Sequence, residues 1–137
     1  MKSIRTKNRR GSAILEATFT LVLFYTILFS LFDFSWELFN YQTLMNQVRA
    51  GARYGAVNPG STTAIQNMVL YNSTTGSGSG VLGLTSSNVN ITRTGTAGGA
   101  DDRIAVTLTG YRYTLITFVW AGSHGGPDIT ASMPVEN

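Results

Sequence analysis

The chain has 137 residues, of which 43% are hydrophobic and only 12% are charged. This length suits one domain, and the charged share is about half that of an ordinary soluble domain. The sequence contains no cysteine, which excludes disulfide scaffolds and thiolate metal sites, and its single histidine leaves little for a zinc site or a Ser-His-Asp triad. We therefore expect neither an enzyme nor a bound cofactor.

The net charge of +3 comes from a short N-terminal stretch. Half of the ten basic residues lie in the first ten positions, namely Lys2, Arg5, Lys7, Arg9 and Arg10. After Gly11 the acidic residues outnumber the basic ones, so a basic surface for nucleic acid is not expected. A cationic arm directly before an apolar run is more typical of a membrane topology signal.

The apolar run follows this arm at once. No residue between Glu16 and Asp33 is charged, and the stretch from Ser12 to Phe32 is interrupted only by Glu16. A helix over this stretch would be roughly 31 Å long, which matches the apolar core of a bilayer. The run is apolar all round, and a small domain has too little surface to bury it. We predict a single-pass inner-membrane protein with a cytoplasmic N-terminus and a head on the opposite side.

The boundary between the basic arm and the apolar run does not fit an ordinary secretory signal, because the run is long and no small-x-small site follows it. The segment from Arg9 through Gly11 to Glu16 instead resembles a type IV prepilin cleavage signal. The resemblance implies a leader of residues 1–11, cut between Gly11 and Ser12 by a prepilin peptidase. Glu16 would then be the fifth residue of the mature chain.

A carboxylate costs on the order of 2.5 kcal/mol or more at the centre of a bilayer, and less near the interface, where Glu16 stands about a turn inside the run. In one interpretation, Glu16 lies near the interface and tilts towards the lipid headgroups. In the other, it pairs with the Ser12 amine of a neighbouring subunit in a filament. Such a pair would offset the desolvation of both charges and set the axial register of the subunits.

A helical pattern continues beyond the apolar run. A seam with a 3.5-residue period is formed by Leu38, Tyr41, Met45, Val48 and Ala52. We expect a long-helix region of residues 12–57, with the helix itself running from Ser12 to about Tyr54. Gly55 and then Asn58-Pro59-Gly60 should end it. Trp36 and Tyr41 suit the outer membrane interface, where amphipathic rings collect.

Four features together resemble the TadE-like family of minor pilins, or pseudopilins, of tight-adherence (Flp-type, type IV) pilus systems. They are the Arg-Arg-Gly leader, Glu16, the apolar run and the Arg-Ala-Gly-Ala-Arg-Tyr segment that begins at Arg49, so the resemblance covers roughly residues 9–57. The major pilin of these systems is shorter and has Tyr after the Glu, whereas Ala17 follows Glu16 here. Both differences favour a minor subunit.

The resemblance implies a role in pilus assembly or initiation. The implied partners are the prepilin peptidase, other pilins or pseudopilins and inner-membrane assembly proteins, with neither nucleic acid nor a small-molecule substrate. Arg49 and Arg53 lie one turn apart and form either a partner contact or a solvated helix face. The alternative is an uncleaved single-pass anchor, or a periplasmic binding module of a secretion machine.

Residues 58–137 read as a small extracytoplasmic α+β head. A short helix is expected from Ser61 or a neighbouring Thr to Tyr71, followed by a Gly- and Ser-rich loop. Alternating apolar residues predict half-buried antiparallel strands around Val89–Ile91, Ile104–Leu108 and Ile129–Val135. The apolar stretch from Tyr113 to Trp120 is a fourth strand or a surface patch.

The fold class predicted from these elements is α+β and pilin-like. A long N-terminal transmembrane helix continues into a head with a three- or four-stranded antiparallel meander packed against it. Residues 97–102 form a turn, in which Asp101 and Asp102 are either solvated or near a Ca²⁺ ion. His124 is expected to be a loop residue without a role.

Overall fold

The computed structural model describes residues 10–115 and 122–136. Helix α1 (Arg10–Val57) is followed by helix α2 (Thr62–Tyr71) and by two 3₁₀ turns. The strands are β1 (Val89–Thr94), β2 (Arg103–Leu108), β3 (Arg112–Thr114), β4 (Ser123–Gly125) and β5 (Ile129–Pro134). The predicted α+β class is confirmed: a long apolar helix, which is a candidate membrane span, precedes a small antiparallel sheet.

Helix α1 runs for 48 residues and carries the apolar run directly into the head. It continues three residues beyond the predicted end at Tyr54, and the Asn58 N–H still donates to the Tyr54 carbonyl at 2.9 Å. Pro59 explains the stop, because proline has no N–H and disfavours helical backbone at the residue before it.

Six threonine and serine hydroxyl groups of α1 are satisfied inside the helix. Thr18 donates to the carbonyl of Ile14 at 2.9 Å, and the same bond to the residue four positions earlier is made by Thr20, Thr26, Ser30, Ser35 and Thr43. These side chains therefore need no water, which suits a helix in apolar surroundings.

Helix α2 packs closely on the upper part of α1 because glycine lies at the contact. A Cβ atom at Gly51 would collide with the side chain of Val69, and one at Gly55 would lie 2.9 Å from the Ile104 Cδ1. Ser61 is the N-cap residue of α2, as expected, but its side chain makes no capping hydrogen bond. The contact rather than the cap fixes where α2 lies.

The main sheet has the order β1-β2-β5, with both pairs antiparallel. Strand β2 alternates as predicted, and its Ile104, Val106 and Leu108 are buried. These side chains meet one face of α1, and the resulting core also contains Leu44, Val48, Ala52, Ile65, Val69, Val89 and Ile129. The head is thus built on the second half of α1.

The predicted meander is wrong in one respect. Strands β3 and β4 form a separate two-stranded hairpin, and β5 then returns to pair with β2. Gly110, with a φ of +68°, turns the chain away after β2. Part of the predicted fourth stretch is β3, whereas residues 116–121 lie outside the described residues.

His124 is a correction to the expected loop, since it lies in β4 opposite Tyr113. A three-residue strand leaves no alternating pattern by which the sequence could reveal it.

The last described residues join the sheet to the long helix. The Val135 N–H donates to the Asp102 carbonyl and the Glu136 N–H to the Ala56 carbonyl, both at 3.0 Å. The second bond satisfies a carbonyl in the last turn of α1, which would otherwise lack a helical partner.

Candidate membrane and assembly site

The first half of α1 is exposed on nearly all sides. Phe19 is 76% exposed, Leu23 63% and Phe24 59%. The helix from Ser12 onward contains a window of mean hydropathy 1.9, none of which is buried within the chain. So large an apolar surface indicates a membrane anchor.

Glu16 lies on this exposed half beside a shallow apolar groove. The groove is lined by Ala13, Glu16, Ala17, Thr20, Leu21 and Phe24. Counting about 100° per residue, Ala17, Leu21 and Phe24 fall on the side of α1 opposite the buried Leu44, whereas Glu16 falls at the same angle as the buried Ala52. Small side chains of this kind let a second helix approach closely in a membrane. The site can therefore receive a helix that brings a cation to the carboxylate.

Gly11 and Ser12 are the second and third residues of α1. Residues 1–9 of the proposed leader lie outside the described residues. The leader boundary, the cleavage bond and the role of Glu16 thus stay predictions from the sequence.

The predicted seam is right at its upper end and wrong at its lower end. Val48 and Ala52 are fully buried, whereas Leu38 is 48% exposed. The sequence reasoning missed Leu44 and Ala56, which extend the Val48–Ala52 spacing by four residues in each direction and are buried. The head also contacts the half-buried Tyr41 and Met45 of the predicted seam, so Leu38 alone departs from the expected pattern.

The two aromatic residues assigned to the membrane interface differ in their surroundings. Trp36 is 40% exposed and stacks on Phe39, with ring centroids 6.0 Å apart. Tyr41 is half-buried and lines a cleft between α1 and the head together with Tyr113 and Pro127. Only Trp36 therefore faces outward.

Arg49 and Arg53 are exposed on the side of α1 away from the core. Their neighbours Val48 and Ala52 point into the head. Both the partner contact and the solvated face remain compatible with this position, so the assignment stays a prediction.

Asp102 corrects the expectation for the 97–102 turn, because only 1% of its surface is exposed. The Arg93 guanidinium donates two hydrogen bonds to this carboxylate, one from Nε to Oδ1 at 2.8 Å and one from Nη2 to Oδ2. The Gly98 N–H donates to Oδ2 at 2.9 Å. The hydrogen bonds from Arg93 and then Gly98 lower the pKa of Asp102 to about 2. This carboxylate is engaged by the protein and is not a solvated Ca²⁺ ligand.

Two buried tyrosines form part of the core beside the β3–β4 hairpin. The hydroxyl groups of Tyr111 and Tyr113 are 3.0 Å apart, and their rings meet edge to face with centroids separated by 5.2 Å. Burial, followed by the hydrogen bond to Tyr113, raises the pKa of Tyr111 well above its usual value. Within residues 10–115 and 122–136, no cluster of His, Asp and Glu could hold a metal ion.

The comparison with known families concerns the long helix. Residues 11–53 match the model of a family described as TadE-like protein. The match begins at Gly11, includes Glu16 and the apolar run, and ends at Arg53, so it covers about a third of the chain. No curated protein and no solved structure matches the chain. The resemblance to the TadE-like family is confirmed for residues 11–53 of this helix.

Proposed function

We propose that this chain is a minor pilin or pseudopilin of a tight-adherence pilus system, acting by assembly rather than catalysis. A prepilin peptidase removes residues 1–11, and the mature subunit stays in the inner membrane with its head outside until it joins the pilus or its initiating complex. Other pilins and inner-membrane assembly proteins are its partners.

One observation carries the proposal: the TadE-like match covers the half of α1 that the head leaves exposed and continues to Arg53 in the Arg-Ala-Gly-Ala-Arg-Tyr segment. A helix that needs an apolar environment along its full circumference suits two surroundings. It can lie in lipid as a single subunit, and it can pack among other helices in a filament.

The chemistry of assembly centres on Glu16. Cleavage after Gly11 creates an α-ammonium group on Ser12, which is costly in an apolar helix bundle unless it meets an anion. The Glu16 carboxylate of an adjacent subunit supplies that anion, and the small residues Ala13 and Ala17 allow the close approach. The pair fixes the stagger between two subunits.

Processing is tested by the intact mass of a C-terminally tagged chain made with and without a prepilin peptidase. Loss of residues 1–11 removes roughly 1.3 kDa, whereas signal-peptidase cleavage after the apolar run removes roughly 3 kDa or more. We expect the smaller loss, and only with the peptidase. The Gly11→Leu variant should keep its full length. An unchanged mass of the original chain with an active peptidase would favour the uncleaved anchor.

The assembly role is tested by Glu16→Gln, which keeps the shape of the side chain and removes its charge. We expect normal membrane insertion and a strong loss of incorporation into pili. Glu37→Gln is the matched control, because it removes a carboxylate of the same helix at the level of the head. Normal piliation with Glu16→Gln would refute the pairing.

A further inference from the structure

The two carboxylates that follow the apolar run turn towards the head. Asp33 is only 4% exposed, and Glu37 is half-buried. Both share the face of α1 that carries the buried Asn40 and Leu44. In the sequence these acids mark the end of the apolar run. In the fold they interrupt the apolar surface of α1 only on the face towards the head.

The other side of α1 stays apolar for about two more turns. Three exposed residues that share one face, here named the outer collar, cover it: Phe32, Trp36 and Phe39. Phe34 and Leu38 are also exposed, but they line the cleft between α1 and the head. Ser35 lies among them, and its hydroxyl donates to the Leu31 carbonyl at 2.8 Å. The next exposed side chain after the collar is Gln42. The apolar surface is therefore continuous from the membrane-spanning half to Phe39.

The chemistry of the collar favours lipid over another helix. Tryptophan, whose ring has an apolar body and a polar N–H, collects at the interface between the apolar core and the headgroups, and Trp36 stacks on Phe39 with an interplanar angle of 24°. Helices that pack together in a membrane instead use small residues. Those residues lie in the Glu16 groove and not in the collar.

The length of α1 agrees with this assignment. The axial distance from Ser12 to Phe32 is roughly 30 Å, close to the apolar core of a bilayer. The outer headgroup layer adds roughly 5–7 Å, or about four residues of helix, so it extends from Phe32 to about Trp36. Phe32 and Trp36 therefore fall at the depth of the outer headgroup layer, and the Phe39 side chain, which leans towards the helix N-terminus, falls at its outer edge.

We propose that the outer headgroup layer of the membrane covers the outer collar, so that the head rests on the membrane surface. The helix leaves the lipid at Asp33 on the side of the head and near Phe39 on the opposite side. This proposal rests on the membrane insertion in the proposed function and adds the depth and orientation of the head.

The test uses the full chain in vesicles of phosphatidylcholine and phosphatidylglycerol. Trp120→Phe leaves Trp36 as the only tryptophan. Lipids brominated either near the headgroup or near the end of the acyl chain then quench its fluorescence according to depth. We expect blue-shifted emission and a larger loss with the shallow bromines than with the deep ones.

Two further variants calibrate the depth, both in the background Trp36→Phe and Trp120→Phe. Phe24→Trp reports on the span and should lose most emission to the deep bromines. Asn46→Trp lies beyond Gln42 on an exposed position and should keep its emission with either lipid.

The outcomes separate the two proposals. If Phe24→Trp is quenched but Trp36 is not, the collar proposal is overturned and the membrane span stands. If Phe24→Trp is not quenched, the span itself is overturned, and the proposed function fails with it. If Trp36 is blue-shifted, unquenched by lipid, and Phe39→Cys forms disulfide-linked dimers, a second copy of the chain covers the collar and the proposal is overturned.

Discussion

The two halves of α1 share one secondary structure and have opposite surroundings. Residues before Asp33 are exposed on nearly all sides, whereas the half from Asp33 to Val57 buries one face under α2 and the sheet. The lower half makes its internal hydrogen bonds, but among the described residues little packs against it below Leu28. The upper half obtains that packing from the head, while the lower half must find it in lipid or in other subunits.

The largest expected effect comes from emptying the core around the upper half. Ile104→Ala should lower the free energy of unfolding of the head by about 2–5 kcal/mol, because Ile104 is 1% exposed and faces Gly55. The measurement is urea unfolding in mild detergent, followed by tyrosine circular dichroism. Ile27→Ala is the control, since Ile27 is 55% exposed in the lower half and should change the head by less than about 0.5 kcal/mol. Equal effects would contradict the division of α1.

The next effect concerns the contact between α1 and α2. Gly51→Leu should destabilise the head by about 1–3 kcal/mol, because the new side chain meets Val69. Gly60→Leu is the matched control, since no atom lies within 4 Å of the added Cβ. The same urea titration compares them. Similar midpoints for both variants would show that α2 does not need the glycine.

A smaller effect appears only in acid. The lowered pKa of Asp102 means that its contribution is fully present above the pKa of the unfolded carboxyl, about 3.9. The contribution is lost as the pH falls through about 2. Thermal unfolding from about pH 5 to about pH 1 spans both pKa values and should show this loss. It should be missing in Asp102→Asn and retained in the exposed control Asp101→Asn. An unchanged acid response in Asp102→Asn would refute the assignment.

The smallest expected effect on the fold is that of Arg49→Gln with Arg53→Gln, which should change the stability of the head by less than about 0.5 kcal/mol. Both residues are exposed, so the variant tests partners without disturbing the core. If the two arginines contact a partner, pilus incorporation should fall while urea unfolding stays the same. Normal incorporation would assign them to a solvated face.

The sequence predicted the long helix, its approximate end and three strands, because each leaves a local pattern. Asn58-Pro59 marks the stop of α1, and alternation marks Ile104–Leu108. The pair of Arg93 and Asp102 could not be read in this way, because it depends on the β1–β2 register and on the path of the turn. The same holds for Leu38, whose exposure depends on where the head first touches the helix.

The candidate site divides similarly. Glu16 could be found in the sequence, because a carboxylate in an apolar run is conspicuous and the helical spacing of Ala13, Ala17 and Thr20 follows from it. The outer collar could not be found in the sequence, because the charged residues Asp33 and Glu37 lie among its positions along the chain. Only their burial against the head shows that the exposed surface remains apolar.

The hydrogen bond between Glu136 and Ala56 has a practical consequence for fusing a tag or an epitope to the C-terminus. Ala56 lies about 36 Å along α1 beyond Phe32, so the last described residues lie beside the end of α1 that is distant from the span. An affinity tag or a foreign epitope appended after residue 137 would start from this outer end. It would be presented to the surrounding medium without a spacer, clear of both the lipid and the Glu16 groove.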